Sequence, residues 1–424
     1  MVYVLPVAHH PVNQQLQLPG SKSLTNRFLL LAALCNQPTK IYQPLWADDT
    51  RRMYQALEQL GVHLVTCDNF IEIQTPIIPV PDYKVIHCGQ SGTVARLLIP
   101  ACIALGGNYL FQADTQLQKR PISPLLETLQ QRGMIWWSGE AHWPLKLSQN
   151  HKLSGGRWTI DAQLSSQFIS GLMIAALEAQ SPVTLTVSNN NFRRSYVAMT
   201  QKLIHLFSGC VEQINDQQFY IEPSFSLKSP EIVTIEPDAS TSSYFLAAAA
   251  ITGGQVTLKN VNLSNSTQSD WYFLTILEQM NCQIIRDHKK EQVTVIGPRI
   301  LKGIEVNMHD CSDVFMTVAA LAPYAQSASL ITGIKHTRYQ ECDRVVAVAE
   351  EWSKLGVPVE VGEDWIKISP AQPKANAVSS HDDHRIAMAL SVLALKVPHV
   401  ELTGEKAVNK TCPDFFQRWA NLLS

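Results

Sequence analysis

An excess of charge of either sign is missing from this chain of 424 residues: Asp, Glu, Lys and Arg make up 17% of it within an ordinary globular composition, and the signs nearly cancel at a net −2. Nucleic acid or an anionic membrane calls for a strongly basic face, so neither is expected as a partner. Long apolar runs are missing too, with no stretch reaching the roughly 18 residues of a membrane span. The opening MVYVLPVAHHPVNQQ lacks the charged start and apolar core of a secretory signal. Nine cysteines occur with no CxxC pair and an odd total, which argues against a disulfide framework and against a zinc site. The P-loop spacing GxxxxGK[ST] is absent, so the GSKS at Gly20–Ser23 is not a nucleotide loop. These absences point to a soluble, cytoplasmic protein with reduced core thiols and no metal.

What is present is a repeated phrase: a small polar or charged cluster running into an apolar, Ala/Leu-rich helix. It reads Gly20-Ser21-Lys22-Ser23 before FLLLAAL, Gln90-Ser91-Gly92-Thr93 before ARLLIPACIAL, and Ser165-Ser166-Gln167 before FISGLMIAAL. It returns at Asp238-Ala239-Ser240-Thr241, at Cys311-Ser312-Asp313 and at Asp382-Asp383-His384-Arg385. Between Ser21, Ser91, Ser165, Ser240, Ser312 and Asp383 the steps are 70, 74, 75, 72 and 71 residues. A second phrase, an amphipathic helix ending at Gly61, Gly133, Gly209, Asn281 and Gly356, keeps the same beat with steps of 72, 76, 72 and 75. The chain is therefore six copies of one unit of about 70 residues.

The first helix of each unit is apolar nearly all round and must be buried, whereas the second carries a charged outer face. Between them lie β-branched runs such as GGQVTLKNVNL and SPVTLTVSN. The expected fold is α/β (α+β), with two inside-out domains of three repeats each and a ligand cleft between them. One domain is expected over 20–232 and the other over 1–19 plus 233–424, with two chain crossings acting as a hinge. Each polar phrase opens a buried helix, where unpaired N–H groups and the helix dipole favour anions. Six in register, with Lys22, Arg27, Arg96, Gln167, His384 and Arg385 beside them, predict a site for phosphates or carboxylates. Taken singly, Asp313 and Asp238 read equally well as helix caps, and Glu341 with Arg344 as an i,i+3 pair.

LPGSKSLTNR, DDTRRM, GTVARLL, KRPISPLLETL, SSQFISGLM, DASTSSYFLAAAAI, SDVFMT, QECDR, DDHRIAM and NKTCPDFF follow one another in this order. Together they resemble the 5-enolpyruvylshikimate-3-phosphate synthase family over essentially the whole chain. The resemblance implies transfer of the carboxyvinyl group of phosphoenolpyruvate to the 5-hydroxyl of shikimate 3-phosphate, with release of phosphate, by a monomer needing no cofactor. It also implies binding of phosphoenolpyruvate by Lys22, Gly92, Arg120, Gln167, Arg344, His384, Arg385 and Lys410. For the acceptor it implies Lys22, Ser23, Arg27, Ser165, Ser166, Gln167, Tyr196 and Asp313. Asp313 takes the role of general base, and Glu341, assisted by Lys22, carries the proton to the methylene carbon. Gly92 is the family's crowding-sensitive position, which implies room for glyphosate. No cysteine lies between residues 103 and 119, where the related transferase acting on UDP-N-acetylglucosamine has its reactive thiol.

The departures gather at the acceptor end. Arg193-Arg194-Ser195-Tyr196 stands where the family has Ser-Lys-Pro-Tyr or Ser-Arg-Pro-Tyr. His336 and Gln340 stand for the family's Asn and Lys, Gln90-Ser91 for Asn-Ala, and Leu97 for Pro. Two readings follow. Either Arg193 or Arg194 restores the lost cation, with His336 and Gln340 still lining the acceptor site, or the acceptor is a different hydroxylated ring. A non-catalytic binding protein is a further alternative, against which the presence of Lys22, Asp313 and Glu341 counts.

Overall fold

The computed structural model describes residues 2–79, 82–138, 143–190, 192–224 and 227–424. The chain divides into two compact units, one formed by Gly20–Ile235 and the other by Met1–Pro19 with Glu236–Ser424. The second passage between them falls at 235–236, three residues past the expected 232–233, because strand Ile232–Thr234 pairs with Thr39–Tyr42 and so stays with the first unit. Each unit has its own apolar core.

Six buried helices follow the six phrases: α1 (Lys22–Ala32), α2 (Gly92–Leu105), α3 (Gln167–Ala176), α4 (Ala239–Thr252), α5 (Phe315–Leu321) and α6 (His384–Leu393). Every residue of α5 and α6 is buried, as are Gly92–Ala104 of α2 and Ala239–Ile251 of α4. Helices with no polar stripe can only be core, and this is the mixed, helix-centred α/β design expected from the pattern. The N-cap residue's own side chain caps the helix in three of the phrases. Ser91 accepts from the Val94 amide, Asp238 from Thr241 and Asp383 from Arg385. Ser21 and Ser166 make no side-chain cap, and the fifth phrase lies in a 3₁₀ stretch, His309–Val314, kinked at Cys311.

The sheets repeat as faithfully. In five of them two parallel strands are followed by an antiparallel hairpin, as in the order Lys84–His87, Gly107–Gln112, Leu145–Gln149, Ile135–Ser138. The sixth pairs Ala377–Ser379 in parallel with Glu401–Thr403, and the N-terminal strand Val2–Val4 closes it antiparallel. In four repeats the strand leading into the buried helix pairs with the strand leaving it. At the two passages this changes: Asn13–Leu16 leads into α1 yet pairs with Gln255–Lys259, while Ile232–Thr234 leads into α4 yet pairs with Thr39–Tyr42.

The amphipathic helices end in left-handed residues at Gly61 (φ 88°), Gly133 (101°), Asn281 (74°) and Gly356 (79°), the usual helix stop. In the third repeat Ser208 (φ 61°), one residue before the expected Gly209, takes that conformation. Gly209 is needed instead for space, since a Cβ there would lie 2.6 Å from Ile204 Cγ2. The cysteines are free, and Cys67 and Cys210 are exposed rather than core residues. Among the described residues no helix is long and apolar enough to cross a membrane.

Candidate active site

In the unit of repeats 1–3 the starts of α1, α2 and α3 gather the predicted groups into two neighbouring sets. Lys22, first residue of α1, lies 3.6 Å from the buried carboxylate of Asp49. Arg27, on the same helix and 1% exposed, donates to Thr200 Oγ1 (2.8 Å), to Ser170 Oγ (3.2 Å) and to the Ser23 carbonyl (3.1 Å). Its guanidinium is 5.9 Å from the Tyr196 ring centre, and Arg193 stands over the same ring at 4.6 Å. Burial pulls the Arg27 guanidinium down to about 10, Tyr196 opposing the shift and Arg193 adding to it, so the group stays charged at neutral pH. Arg194 points elsewhere: it donates to the Asp216 carbonyl at 2.9 Å, pairs with the Asp216 carboxylate at 3.4 Å and stacks on Phe192. Of the two arginines offered by the sequence, Arg193 is the one beside Arg27.

The second set is organised by Arg96, a buried arginine of α2. It donates to Ser165 Oγ (3.3 Å), Gln167 Oε1 (3.1 Å) and the Pro121 carbonyl (3.2 Å), and lies over Phe168. Gln167 in turn donates to Thr93 Oγ1 at 3.1 Å, and its amide donates to Ser165 Oγ. Gly92 adjoins the Arg120 guanidinium, 2.9 Å from where a Cβ would be. Gly92, Arg120, Ser165 and Gln167, from two successive repeats, thus meet around one arginine that the sequence singled out only as a surplus charge.

In the unit of repeats 4–6 a denser cluster forms. Arg344 is the first residue of helix Arg344–Lys354 and is 2% exposed. Its Nε donates to Asp383 Oδ2 at 2.7 Å, Nη2 to Glu341 Oε2 at 2.8 Å, and Nη1 to Asp313 Oδ1 at 3.4 Å and to Gln340 Oε1. Arg385 donates to Asp313 Oδ2 at 3.1 Å, and Lys410 to Glu341 Oε1 at 2.7 Å. Burial works against the Arg344 charge, but Asp383 and Glu341 outweigh it and hold the guanidinium firmly ionised. His384 is buried, its Nδ1 3.6 Å from the Asp383 carboxylate. Asp383, read from sequence as a helix marker, therefore both caps α6 and anchors Arg344. The i,i+3 pairing of Glu341 with Arg344 is real, but it is one edge of a larger network.

The acceptor-end departures are accommodated within these contacts. His336 Nε2 shares a hydrogen bond of 2.7 Å with Ser312 Oγ, and its ring meets that of His309 edge-on at 5.3 Å. Gln340 brings an amide oxygen to Arg344 where the family pattern would bring a second cation. Unforeseen in the sequence is Asp270, a buried carboxyl in the 3₁₀ turn Ser269–Tyr272 that bonds Ser240. Elsewhere Glu350, Glu351 and His381 lie close enough to hold a cation, but Lys354 already donates to Glu351 at 2.8 Å.

Chemically, this arrangement offers buried guanidinium and ammonium groups for a small polyanion, with two carboxylates, Asp313 and Glu341, paired to those same cations. A family profile described as EPSP synthase (3-phosphoshikimate 1-carboxyvinyltransferase) matches residues 7–419. A protein of Trichormus variabilis named 3-phosphoshikimate 1-carboxyvinyltransferase is 36% identical over 425 residues, covering 99% of this chain and 98% of its own. One of Halalkalibacterium halodurans, named 3-phosphoshikimate 1-carboxyvinyltransferase 2, is 37% identical over 416 residues, covering 96% and 92%. The fold matches EPSP synthase from Acinetobacter baumannii with a TM-score of 0.82 at 23% identity, over 99% of this chain and 97% of that one. It also matches the enolpyruvyl transferase NikO from Streptomyces tendae, at 0.77 and 17% identity, again over 99% and 97%. This chain belongs to the EPSP synthase (3-phosphoshikimate 1-carboxyvinyltransferase) family.

Proposed function

We propose that the protein transfers the carboxyvinyl group of phosphoenolpyruvate to the 5-hydroxyl of shikimate 3-phosphate and releases inorganic phosphate, as a cytoplasmic monomer in the route to aromatic amino acids. The observation that carries this reading is the cluster of Asp313, Glu341, Arg344, Arg385 and Lys410, in which proton-handling carboxylates and anion-binding cations are interleaved. Phosphoenolpyruvate, with its carboxylate and phosphate, takes over the guanidinium and ammonium groups that these carboxylates now occupy. Arg344, Arg385 and Lys410 bind it in concert with Lys22, Gly92, Arg120, Gln167 and His384. Arginine suits the planar bidentate contacts and lysine the point contacts.

Addition then needs two proton movements. Asp313 accepts the proton of the attacking hydroxyl as its oxygen bonds to C2 of the enol. A proton delivered to C3 by Glu341, with Lys22 assisting, turns the methylene into a methyl group. Loss of a proton from that methyl group and departure of phosphate restore the double bond. The acceptor is held by Lys22, Ser23, Arg27, Ser165, Ser166, Gln167 and Tyr196, with His336 and Gln340 at its edge. Arg193 supplies the positive charge that Gln340 does not, a role favoured over Arg194 by the latter's contacts with Asp216. Phosphate release from phosphoenolpyruvate and shikimate 3-phosphate tests the proposal, with Asp313→Asn as control. Turnover that the control loses is expected; a folded wild-type protein without turnover would overturn it.

A further inference from the structure

Among the carboxyl groups clustered in the unit of repeats 4–6, three have a cation in reach. Asp313 faces Arg344 and Arg385, Glu341 faces Arg344 and Lys410, and Asp383 faces Arg344. Another, Asp270, is 5% exposed and has no cation within ion-pair distance among the described residues. Its Oδ2 shares a short hydrogen bond with Ser240 Oγ at the start of α4, and its Oδ1 has no partner among the described residues. The turn that carries it is fastened to the turn that carries Asp313, for Ser269 Oγ donates to the Asp310 carbonyl at 2.6 Å. An ionised carboxylate buried with one hydroxyl partner is expensive, and such a group takes up a proton instead.

We infer that Asp270 is a positioning residue, a neutral acid that leaves Arg385 and the anion site to Asp313 and to phosphoenolpyruvate. The inference rests on the function proposed above. As a neutral acid Asp270 gives its proton to the hydrogen bond with Ser240 and adds no charge to the wall. Ionised, it would pull on Arg385 and repel a trivalent anion. The charged and titratable groups facing it are Asp313 and Asp238, which raise its proton affinity, Arg385, which lowers it, and the Cys311 thiol, itself pushed above its ordinary range by burial. Burial is the largest influence, and the carboxyl is raised to about 7. It therefore changes charge within the range in which an enzyme of this kind works. The affinity for phosphoenolpyruvate should weaken as it does so.

Asn has the shape of the protonated acid and cannot ionise, so Asp270→Asn is the informative variant. The readout is KM for phosphoenolpyruvate, wild type over variant, between about pH 6 and 8.5. The ratio is expected to rise with pH by about tenfold, with the ratio of kcat values much flatter. A KM ratio that stays flat, or an Asp270→Asn enzyme that binds phosphoenolpyruvate worst at the acid end, overturns the inference while leaving the function intact. Absence of turnover from wild type at every pH would count against the function itself. A second measurement needs neither the variant nor turnover. In wild-type protein carrying carboxyl-labelled aspartate, one buried aspartate resonance should titrate near neutrality. Aspartates that all titrate in the ordinary acid range would overturn the proposal.

Discussion

Gly92 shows how the lack of a single methyl group leaves room for a guanidinium. A Cβ at this position would fall 2.9 Å from Arg120 Cζ and Nη1, the far end of a flexible side chain. Gly92→Ala should therefore move the guanidinium rather than the fold, with stability within about 0.5 kcal/mol of wild type and KM for phosphoenolpyruvate higher by about tenfold or more. Thermal melts and initial rates measured side by side check both halves. Asp270 also bears on stability. In the folded protein burial raises it to about 7, well above the ordinary 3.8 of an aspartate, so its share of stability is fully present in acid and lost as pH rises through neutrality. Asp270→Asn should gain on wild type between pH 5 and 8 by up to a few kcal/mol in urea denaturation.

The helices α2 and α3 touch backbone to backbone at Gly171, where a Cβ would lie 2.2 Å from the Arg96 carbonyl oxygen and 3.0 Å from Pro100 Cγ. Neither neighbour is the end of a flexible side chain. Gly171→Ala should cost about 2 kcal/mol or more in urea denaturation, the scale of core overpacking. Because Arg96 fixes Ser165, Gln167 and Pro121, the surviving folded protein should also lose activity; full activity would mean that Arg96 does not position the site. How much of this could be read in advance follows from the range of each signal. The six helices were legible because an element without a polar face has nowhere to go but the core. Their polar openings were legible as a set, and the structure then separates the three whose N-cap side chain accepts an amide from the three whose N-cap residue does not. The strand exchange was legible only in part: residues 1–19, and with them Asn13–Leu16, fall to the second unit already from the sequence, whereas Ile232–Thr234 looks like any other short β-branched run and its pairing is decided by residues more than 180 positions away. The same holds for the contact of Arg27 with Thr200, 173 residues apart, and for Asp270, a single acid in Ser-Asp-Trp-Tyr with no pattern around it.

Across the whole molecule, the chain passes between units at two places, after Pro19 and after Ile235, with no linker at either. In one unit, Gly20 and Ile235 are packed together, a Cβ on Gly20 falling 2.2 Å from the Gln43 carbonyl and 2.9 Å from Ile235 Cγ2. In the other, the Asp238 amide donates to the Pro19 carbonyl at 3.0 Å. Each unit thus binds both of its own chain ends, and the strands that lead into α1 and α4 are anchored in the unit opposite to their helices. Any rotation between units must be absorbed by the few backbone angles at these two passages. The proposed reaction draws on both units, since Lys22, Arg120 and Gln167 belong to one and Asp313, Glu341, Arg344, Arg385 and Lys410 to the other. It would benefit from a closing motion, because expelling water strengthens every contact between a trivalent anion and its cations. Small-angle scattering of the protein alone, then with saturating shikimate 3-phosphate, then with glyphosate added, should show the radius of gyration falling in the presence of acceptor. If scattering is unchanged while calorimetry shows both ligands bound, closure is not what assembles the site. The two sets of cations would then have to act on substrate without a change in the distance between them.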